Sequence, residues 1–448
     1  MIKDMKLSSI DFDKYQRALE RRVLVRDIGK VTDVIGLMIE AYLPGAKLGS
    51  LCEITSPGRP SILTEVIGFR DKKILMMPLS EMTAIGFGSR VELLRTSASI
   101  KTGDALLGRV INGMGQPIDD LGKLELSDSV PLYRNSVNPL SRRPINQVLD
   151  LGIKSINAFL TVGRGQRVGI MAGSGVGKSV LMGMIAHSTK SDVNVIALIG
   201  ERGREVREFV ENVLGEEGLK KSVVVAVTSD QSPLIRMRGA FVATAIAEHF
   251  SDKGQNVLLM MDSLTRFAMA QREIGLNAGE PVTTKGYTPS VFGILPKLLE
   301  RAGSFDSGGS ITGLYTVLVE GDDMDDPIAD TVRSIVDGHI VLDRRIAQKG
   351  HFPAIDVLQS ASRVMPNIIS DNQKNLVRKA CSAMALYREN EDLIRIGAYQ
   401  MGRSVELDQA IGINKNLERF LQQDVNEDWT LEQTINELKS AVLDYEEI

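Results

Sequence analysis

Cysteine is almost missing from this sequence. Cys52 and Cys381 are the two present, far apart and outside any paired-ligand motif, so a disulfide framework and a thiolate metal centre are both excluded and a reducing compartment is expected. Histidine is nearly as scarce. His187, His249, His339 and His351 lack the short spacing of a zinc site, and a structural role is expected for all four. Long apolar runs are absent too, since stretches such as residues 223–227 fall far short of the roughly 20 residues that span a bilayer. Asp4, Asp11, Asp13 and several basic residues break up the first thirty positions, so no secretory signal is expected. Neither sign of charge dominates. The 53 lysines and arginines stand against 57 acids, a net charge of −4, and no basic field draws the chain to nucleic acid.

What remains is ordinary globular composition, 43% hydrophobic and 25% charged in 448 residues. That length exceeds one hydrophobic core and suggests about three domains. Residues 1–21 read as an amphipathic arm, with Phe12, Tyr15 and Leu19 on one side of a helix that starts at Ser8 and Ser9. Over residues 22–94 short β-rich pieces alternate with glycines, the texture of a small β-barrel. Residues 95–371 follow, opening with a loop-rich connecting segment over 95–147. After it, apolar strands (193–199, 223–228, 257–262) alternate with amphipathic helices (205–214, 234–250), which predicts an α/β domain with a parallel sheet covered on both faces. Residues 372–448 contain no strand-like run. Leu431, Ile435, Leu438 and Val442 make a helical stripe there, and a C-terminal helical domain is expected.

The chemistry concentrates in Ala172-Gly173-Ser174-Gly175-Val176-Gly177-Lys178-Ser179-Val180. A buried strand is expected over 166–172 and a helix from 179, so the glycines fall at a strand-to-helix turn and form a phosphate-binding P-loop. Glycines let backbone N–H groups curl around phosphates, and the helix start adds partial positive charge. Lys178 supplies a full charge, and the Ser179 hydroxyl is placed to ligate Mg²⁺. Ala172 replaces the usual first glycine, at the strand end and away from the phosphates. Hydrolysis needs more than a cradle. The apolar run Val257-Leu258-Leu259-Met260-Met261-Asp262 ends in an acid suited to hold Mg²⁺ through its water shell. Glu201, just past another strand, is either a carboxylate that aims water at the γ-phosphate or an exposed loop acid. Arg363, in a serine-rich turn, reads by itself as a surface arginine, and Phe352 as a core aromatic.

These motifs resemble a known family. The P-loop, Gly200-Glu201-Arg202-Gly203-Arg204-Glu205-Val206 and Asp262-Ser263-Leu264-Thr265-Arg266-Phe267-Ala268 look like the rotary ATP synthase catalytic subunit superfamily. Within it the chain resembles the flagellum-specific ATPases of type III protein export, densely over residues 24–365. Residues 284–292 and 319–330 strengthen that likeness. The resemblance implies a RecA-like P-loop ATPase core between an N-terminal β-barrel and a C-terminal helical domain. It implies ATP and Mg²⁺, Glu201 as the carboxylate that orients water, Arg202 on the γ-phosphate, and Phe352 stacked on adenine. Arg363 falls where the family carries an arginine finger acting across a subunit boundary, so a homohexamer is implied. Implied partners are a stator-like regulatory protein at the N-terminal arm, a central stalk protein, export chaperones with flagellar cargo, and a membrane export gate. The implied location is cytoplasmic, peripheral at the inner membrane. Virulence-type type III secretion ATPases share this enzymology and stand as the nearest alternative. A noncatalytic synthase subunit typically carries Gln in place of Glu201. A ring-shaped RNA translocase would need a basic, aromatic front domain, whereas residues 22–94 hold just Tyr42, Phe69 and Phe87 as aromatics.

Overall fold

The computed structural model describes residues 27–443 apart from 81, 83, 84, 135, 136, 307, 320, 322 and 324. The arm expected over residues 1–21 lies outside the described residues. The chain divides into two compact units after Ala98.

In the first unit six strands close an antiparallel barrel: β1 (Ile28–Ile35), β2 (Met38–Tyr42), β3 (Leu51–Thr55), β4 (Ile62–Arg70), β5 (Lys73–Pro78) and β6 (Arg90–Arg95), in the order β1-β2-β5-β4-β3-β6 with β6 returning to β1. Alternate residues point inward, so Val31, Ile39, Ile54, Val66, Met76 and Val91 fill the interior. Gly29 has to be glycine, because a Cβ there would stand 1.9 Å from the Tyr42 carbonyl oxygen on the neighbouring strand. Cys52 is buried in the same interior, and burial pushes its thiol up to about 12, which keeps it unreactive.

The second unit is built on a predominantly parallel sheet. Its strands are β7 (Arg109–Ile111), β8 (Arg167–Ala172), β9 (Val193–Glu201), β10 (Ser222–Thr228), β11 (Asn256–Asp262), β12 (Ser310–Leu318), β13 (Gly338–Leu342) and the short β14 (Ala361–Ser362). Across the sheet they run β14-β13-β8-β12-β11-β9-β10-β7, with β14 antiparallel to its neighbour and Gly303–Ser304 pairing antiparallel to β12. Strands such as β9 are buried along nearly their whole length, as expected when helices cover both faces. The segment read as a connector over 95–147 contributes β7 to the sheet edge, in parallel register with β10. The helix expected over 205–214 is α-helical over Gly203–Glu208 and then widens to a π-helical turn over Phe209–Leu214, which ends at Gly215 with φ of 60°.

Three helices close the chain: Asp371–Arg395, Val405–Leu421 and Leu431–Leu443. They share one core with the sheet domain, where Leu417, Phe420, Leu438 and Val442 pack with Ile156 and Phe159 of the helix Lys154–Phe159. The rings of Phe159 and Phe420 meet edge to face at 6.3 Å. The Lys154 ammonium lies 4.7 Å from the centre of the Trp429 ring and 5.9 Å from that of Phe420. Burial lowers the Lys154 pKa, and the ring faces offer a partial substitute for lost water.

One buried ion pair fastens the long helix Pro233–Asp252 to the chain between sheet strands. Arg301, almost fully enclosed, donates through Nε and Nη2 to the Glu248 carboxylate at 2.7 Å each, and through Nη1 to the Leu132 carbonyl at 2.8 Å. Arg301→Ala leaves Glu248 buried with Arg134 4.0 Å away. The expected cost is about 3 kcal/mol of stability, read as a lower urea midpoint by circular dichroism. Replacing both partners by apolar residues of similar volume is expected to cost much less.

Candidate active site

Four neighbouring strands, β8, β12, β11 and β9, deliver the site side by side at their carboxyl ends, where open α/β sheets bind ligands. Strand β8 ends at the buried Ala172, and the chain turns through the loop into the helix Lys178–Ser188. Gly175 and Gly177 have φ of 77° and 89°, a left-handed backbone that side chains resist. Gly177 caps the helix, so the unpaired N–H groups of its first turn face the loop. Ser174, Gly175, Ser179 and Val180 are exposed there, whereas Val176 is buried beneath the loop.

The Lys178 ammonium is in contact with Asp262 Oδ1 and lies 3.9 Å from Glu201 Oε1. Asp262 is the last residue of β11 and is 3% exposed. Thr316, in the middle of β12, donates its hydroxyl to Asp262 Oδ1 at 2.8 Å, so this carboxylate is oriented from two sides. Thr316 did not stand out in the sequence, because Ser310 and Thr312 are polar positions of the same strand.

Glu201 is the final residue of β9 and does not follow it, because the strand continues through Gly200. Gly200 has φ of 72°, and the pairing with β10 skips it between Ile199 and Glu201. Such a bulge re-aims the next side chain, here toward Lys178. A Cβ on Gly200 would also strike the Arg266 side chain at 2.9 Å. Glu201 Oε1 is buried and has no hydrogen-bond partner in the protein. Burial above all, then the neighbouring Asp262 charge, pushes the Glu201 carboxyl up to about 7, with Lys178 opposing. Glu205, one helical turn on and absent from the sequence-derived candidates, shares a hydrogen bond with Glu201. That bond holds Glu205 below the usual carboxylate range.

The sign of the pH effect follows. Between the ordinary value of 4.5 and about 7 the folded Glu201 keeps a proton that an unfolded chain loses, so this group lowers stability as pH rises through that window. Turnover that needs the carboxylate runs the other way. The expected kcat/KM for ATP rises with the ionised fraction up to about pH 7 and then levels. A profile flat from pH 5.5 to 8.5 would contradict it.

Phe352 is 46% exposed rather than core, and its ring is the nearest side chain to Gly177, 3.6 Å from where a Cβ would be. It therefore presents an aromatic face beside the phosphate loop. Arg202 is not brought to the cradle: its side chain is 81% exposed and pairs with Glu205 at 3.5 Å. Arg363 is also elsewhere, exposed just after β14 at the amino end of β13, with its N–H on the Asp337 carbonyl at 2.9 Å. The five residues of β13 separate that end from the phosphate loop, about 16 Å at strand rise. Ser179 and Asp262 supply hard oxygen donors of the kind Mg²⁺ takes. Among the described residues no group of three or more His, Cys, Asp or Glu forms an all-protein metal cage, and none is a membrane-spanning helix.

Comparison with known proteins shows the family of the chain. Residues 152–362 match the ATP synthase alpha/beta family, nucleotide-binding domain, and residues 369–440 match the T3SS EscN ATPase C-terminal domain. The chain is 55% identical over 416 residues to the flagellum-specific ATP synthase of Bacillus subtilis, covering 92% of this chain and 94% of that protein. It is 49% identical over 430 residues to the flagellum-specific ATP synthase of Salmonella typhimurium, covering 93% and 94%. The assembled ATPase EscN of the enteropathogenic E. coli type III secretion system superimposes with a TM-score of 0.88 at 46% identity, over 92% of this chain and all of that one. EscN in complex with its central stalk EscO superimposes with a TM-score of 0.85 at 45% identity, over 92% of this chain and all of that one. With a P-loop core, a six-stranded barrel and a C-terminal helical region all matched, the chain belongs to the family of flagellum-specific ATP synthases and type III secretion ATPases.

Proposed function

We propose that this chain hydrolyses Mg²⁺-ATP as a homohexameric ring and thereby energises export of flagellar proteins through a type III apparatus. The observation that carries the reading is the buried, partnerless Glu201 Oε1 placed 3.9 Å from the P-loop lysine. A carboxylate with an unused acceptor and a pKa near neutrality is suited to take a hydrogen bond from an attacking water. Backbone N–H groups of residues 173–180 and the helix start receive the β- and γ-phosphates, and Lys178 transfers its ammonium from Asp262 to them. Ser179 and Asp262 would hold Mg²⁺, whose chemistry is to neutralise charge across the phosphates. Its hard-oxygen needs fit these two side chains together with phosphate and water. Phe352 offers the adenine a stacking face. Glu201 aims the water in line, with Asp262 fixed beside it by Thr316. Arg202, now in solvent, reaches the γ-phosphate after leaving Glu205.

Arg363 completes the site from a neighbouring subunit. Its position at the opposite strand end from its own phosphate loop supports donation in trans, as does the likeness to an assembled EscN. Docking of a central stalk, chaperones and cargo on the helical C-terminal side, of a stator-like protein on residues 1–21, and of the membrane export gate peripherally from the cytoplasm belong to the same reading. The test is complementation. In a flagellated bacterium lacking its own export ATPase, the chain restores filament secretion and Glu201→Gln does not. Restoration by the variant would overturn the reading, and rescue confined to a virulence secretion system would move the cargo assignment to that branch.

A further inference from the structure

We propose that Gln166 and Ser362 are positioning residues for Arg363, forming a mount of a buried amide and a half-buried hydroxyl that fixes the finger offered to the next subunit. The proposal rests on the reading of Arg363 given above and goes beyond it by naming what holds that arginine in place.

Gln166 is fully buried at the residue before β8. Its Oε1 accepts the Gly163 N–H at 2.8 Å, which settles the orientation of the amide. Its Nε2 then donates to Ser362 Oγ at 3.0 Å and to the Asp337 carbonyl at 3.4 Å. Ser362 Oγ donates to the Thr161 carbonyl at 3.1 Å and accepts the Met365 N–H at 3.3 Å. Gln166 Nε2 thus uses both its protons, and Ser362 Oγ donates once and accepts twice. The Asp337 carbonyl that Gln166 touches is the one that accepts the Arg363 N–H. Asp337 is itself held by its carboxylate, which receives the Arg167 N–H at 3.0 Å and Arg167 Nε and Nη2 at 3.1 Å each. Gly338 keeps the mount compact, since a Cβ there would stand 2.7 Å from the Ala361 carbonyl and 3.1 Å from Gln166 Nε2.

In contrast to this rigid base, the Arg363 guanidinium is exposed and reaches the Val336 carbonyl at the long distance of 3.5 Å. A fixed backbone under an exposed side chain is the arrangement that a finger acting on another molecule requires. Binding energy spent on ordering the arginine is saved at the moment of reaction. The mount converges on Ser362 just before Arg363, on the Met365 N–H two residues after it, and on the Asp337 carbonyl that accepts the Arg363 N–H.

Ser362→Ala removes the hydroxyl with little change of volume. It is expected to lower kcat about 10- to 100-fold, the cost of a displaced reacting group, while KM, ATP affinity and ring assembly stay as in the unaltered protein. Ser362→Thr keeps the hydroxyl and is expected to keep kcat. The deciding measurement is a double-mutant cycle by single-turnover hydrolysis of labelled ATP. If Ser362 acts through Arg363, the Ser362→Ala, Arg363→Ala double variant turns over at the rate of Arg363→Ala. A further fall in the double variant, or an unchanged kcat in Ser362→Ala, overturns the proposal. Should Ser362→Ala fail to fold, Gln166→Glu takes its place in the cycle, because it keeps the acceptor for Gly163 and loses the donor. Wild-type turnover in Arg363→Ala itself would instead remove the finger reading on which the proposal rests.

Discussion

Glu201→Gln is expected to bind ATP as tightly as the unaltered chain and to hydrolyse it about 10²- to 10⁴-fold more slowly, the range for loss of a positioned general base. The amide has the same shape but cannot carry the negative charge that makes Oε1 a strong acceptor for water. It leaves Lys178 and Asp262 in contact, so the phosphate cradle survives. The substitution also removes a carboxyl that burial and Asp262 both hold away from its charged form. The variant is therefore expected to be more stable than the parent above pH 7, the usual sign that a residue is kept for activity at a cost in stability. Equilibrium dialysis with ATP and steady-state phosphate release measure the two halves. Turnover near the parental rate would refute the assignment of Glu201.

Arg363→Ala is expected to lose about 10³- to 10⁵-fold in turnover, the range for arginine fingers, with nucleotide binding intact. The distance of Arg363 from its own phosphate loop turns this into a statement about assembly. On the proposed reading a lone subunit has the cradle and the water-orienting carboxylate but lacks the cation that stabilises the transition state. Specific activity of the parent is thus expected to climb faster than linearly over a dilution series, and that dependence to vanish with the activity in the variant. Activity indifferent to both concentration and Arg363 would mean a self-sufficient monomeric site.

Much of this site could be read before any coordinates, for reasons that differ by residue. Lys178, Ser179 and Asp262 announce themselves because local rules suffice: glycines between a strand and a helix, and an acid ending an apolar strand. Glu201 was ambiguous since a strand end and a loop acid look alike in one dimension. The Gly200 bulge that aims it arises from packing against Arg266 and from register with β10, both long-range. Thr316 and Glu205 were missed for the same reason, as each acquires its role from a partner on another element or turn. Arg363 had no local signal whatever. Resemblance pointed to it, and the sheet order then placed it at the far end from its own loop. Arg202 likewise came from resemblance, and its side chain stands in solvent paired with Glu205. At the level of the fold, alternation predicted the parallel sheet. The contribution of β7 from the supposed connector was hidden because three residues are too few to show a period.

Trp429 gives the molecule an optical reporter of its own. It is the single tryptophan of the chain, and its ring lies under the Lys154 ammonium where the last helices meet the sheet domain. All indole emission therefore originates at that joint, next to a cation that perturbs the excited state. Six residues earlier, the Gln423 N–H is bonded to the Phe352 carbonyl at 3.0 Å, so the peptide that carries the exposed Phe352 ring is tied to the same short segment. Arrival and departure of nucleotide should thus be legible in the colour and intensity of unlabelled protein, one subunit's signal for each site filled.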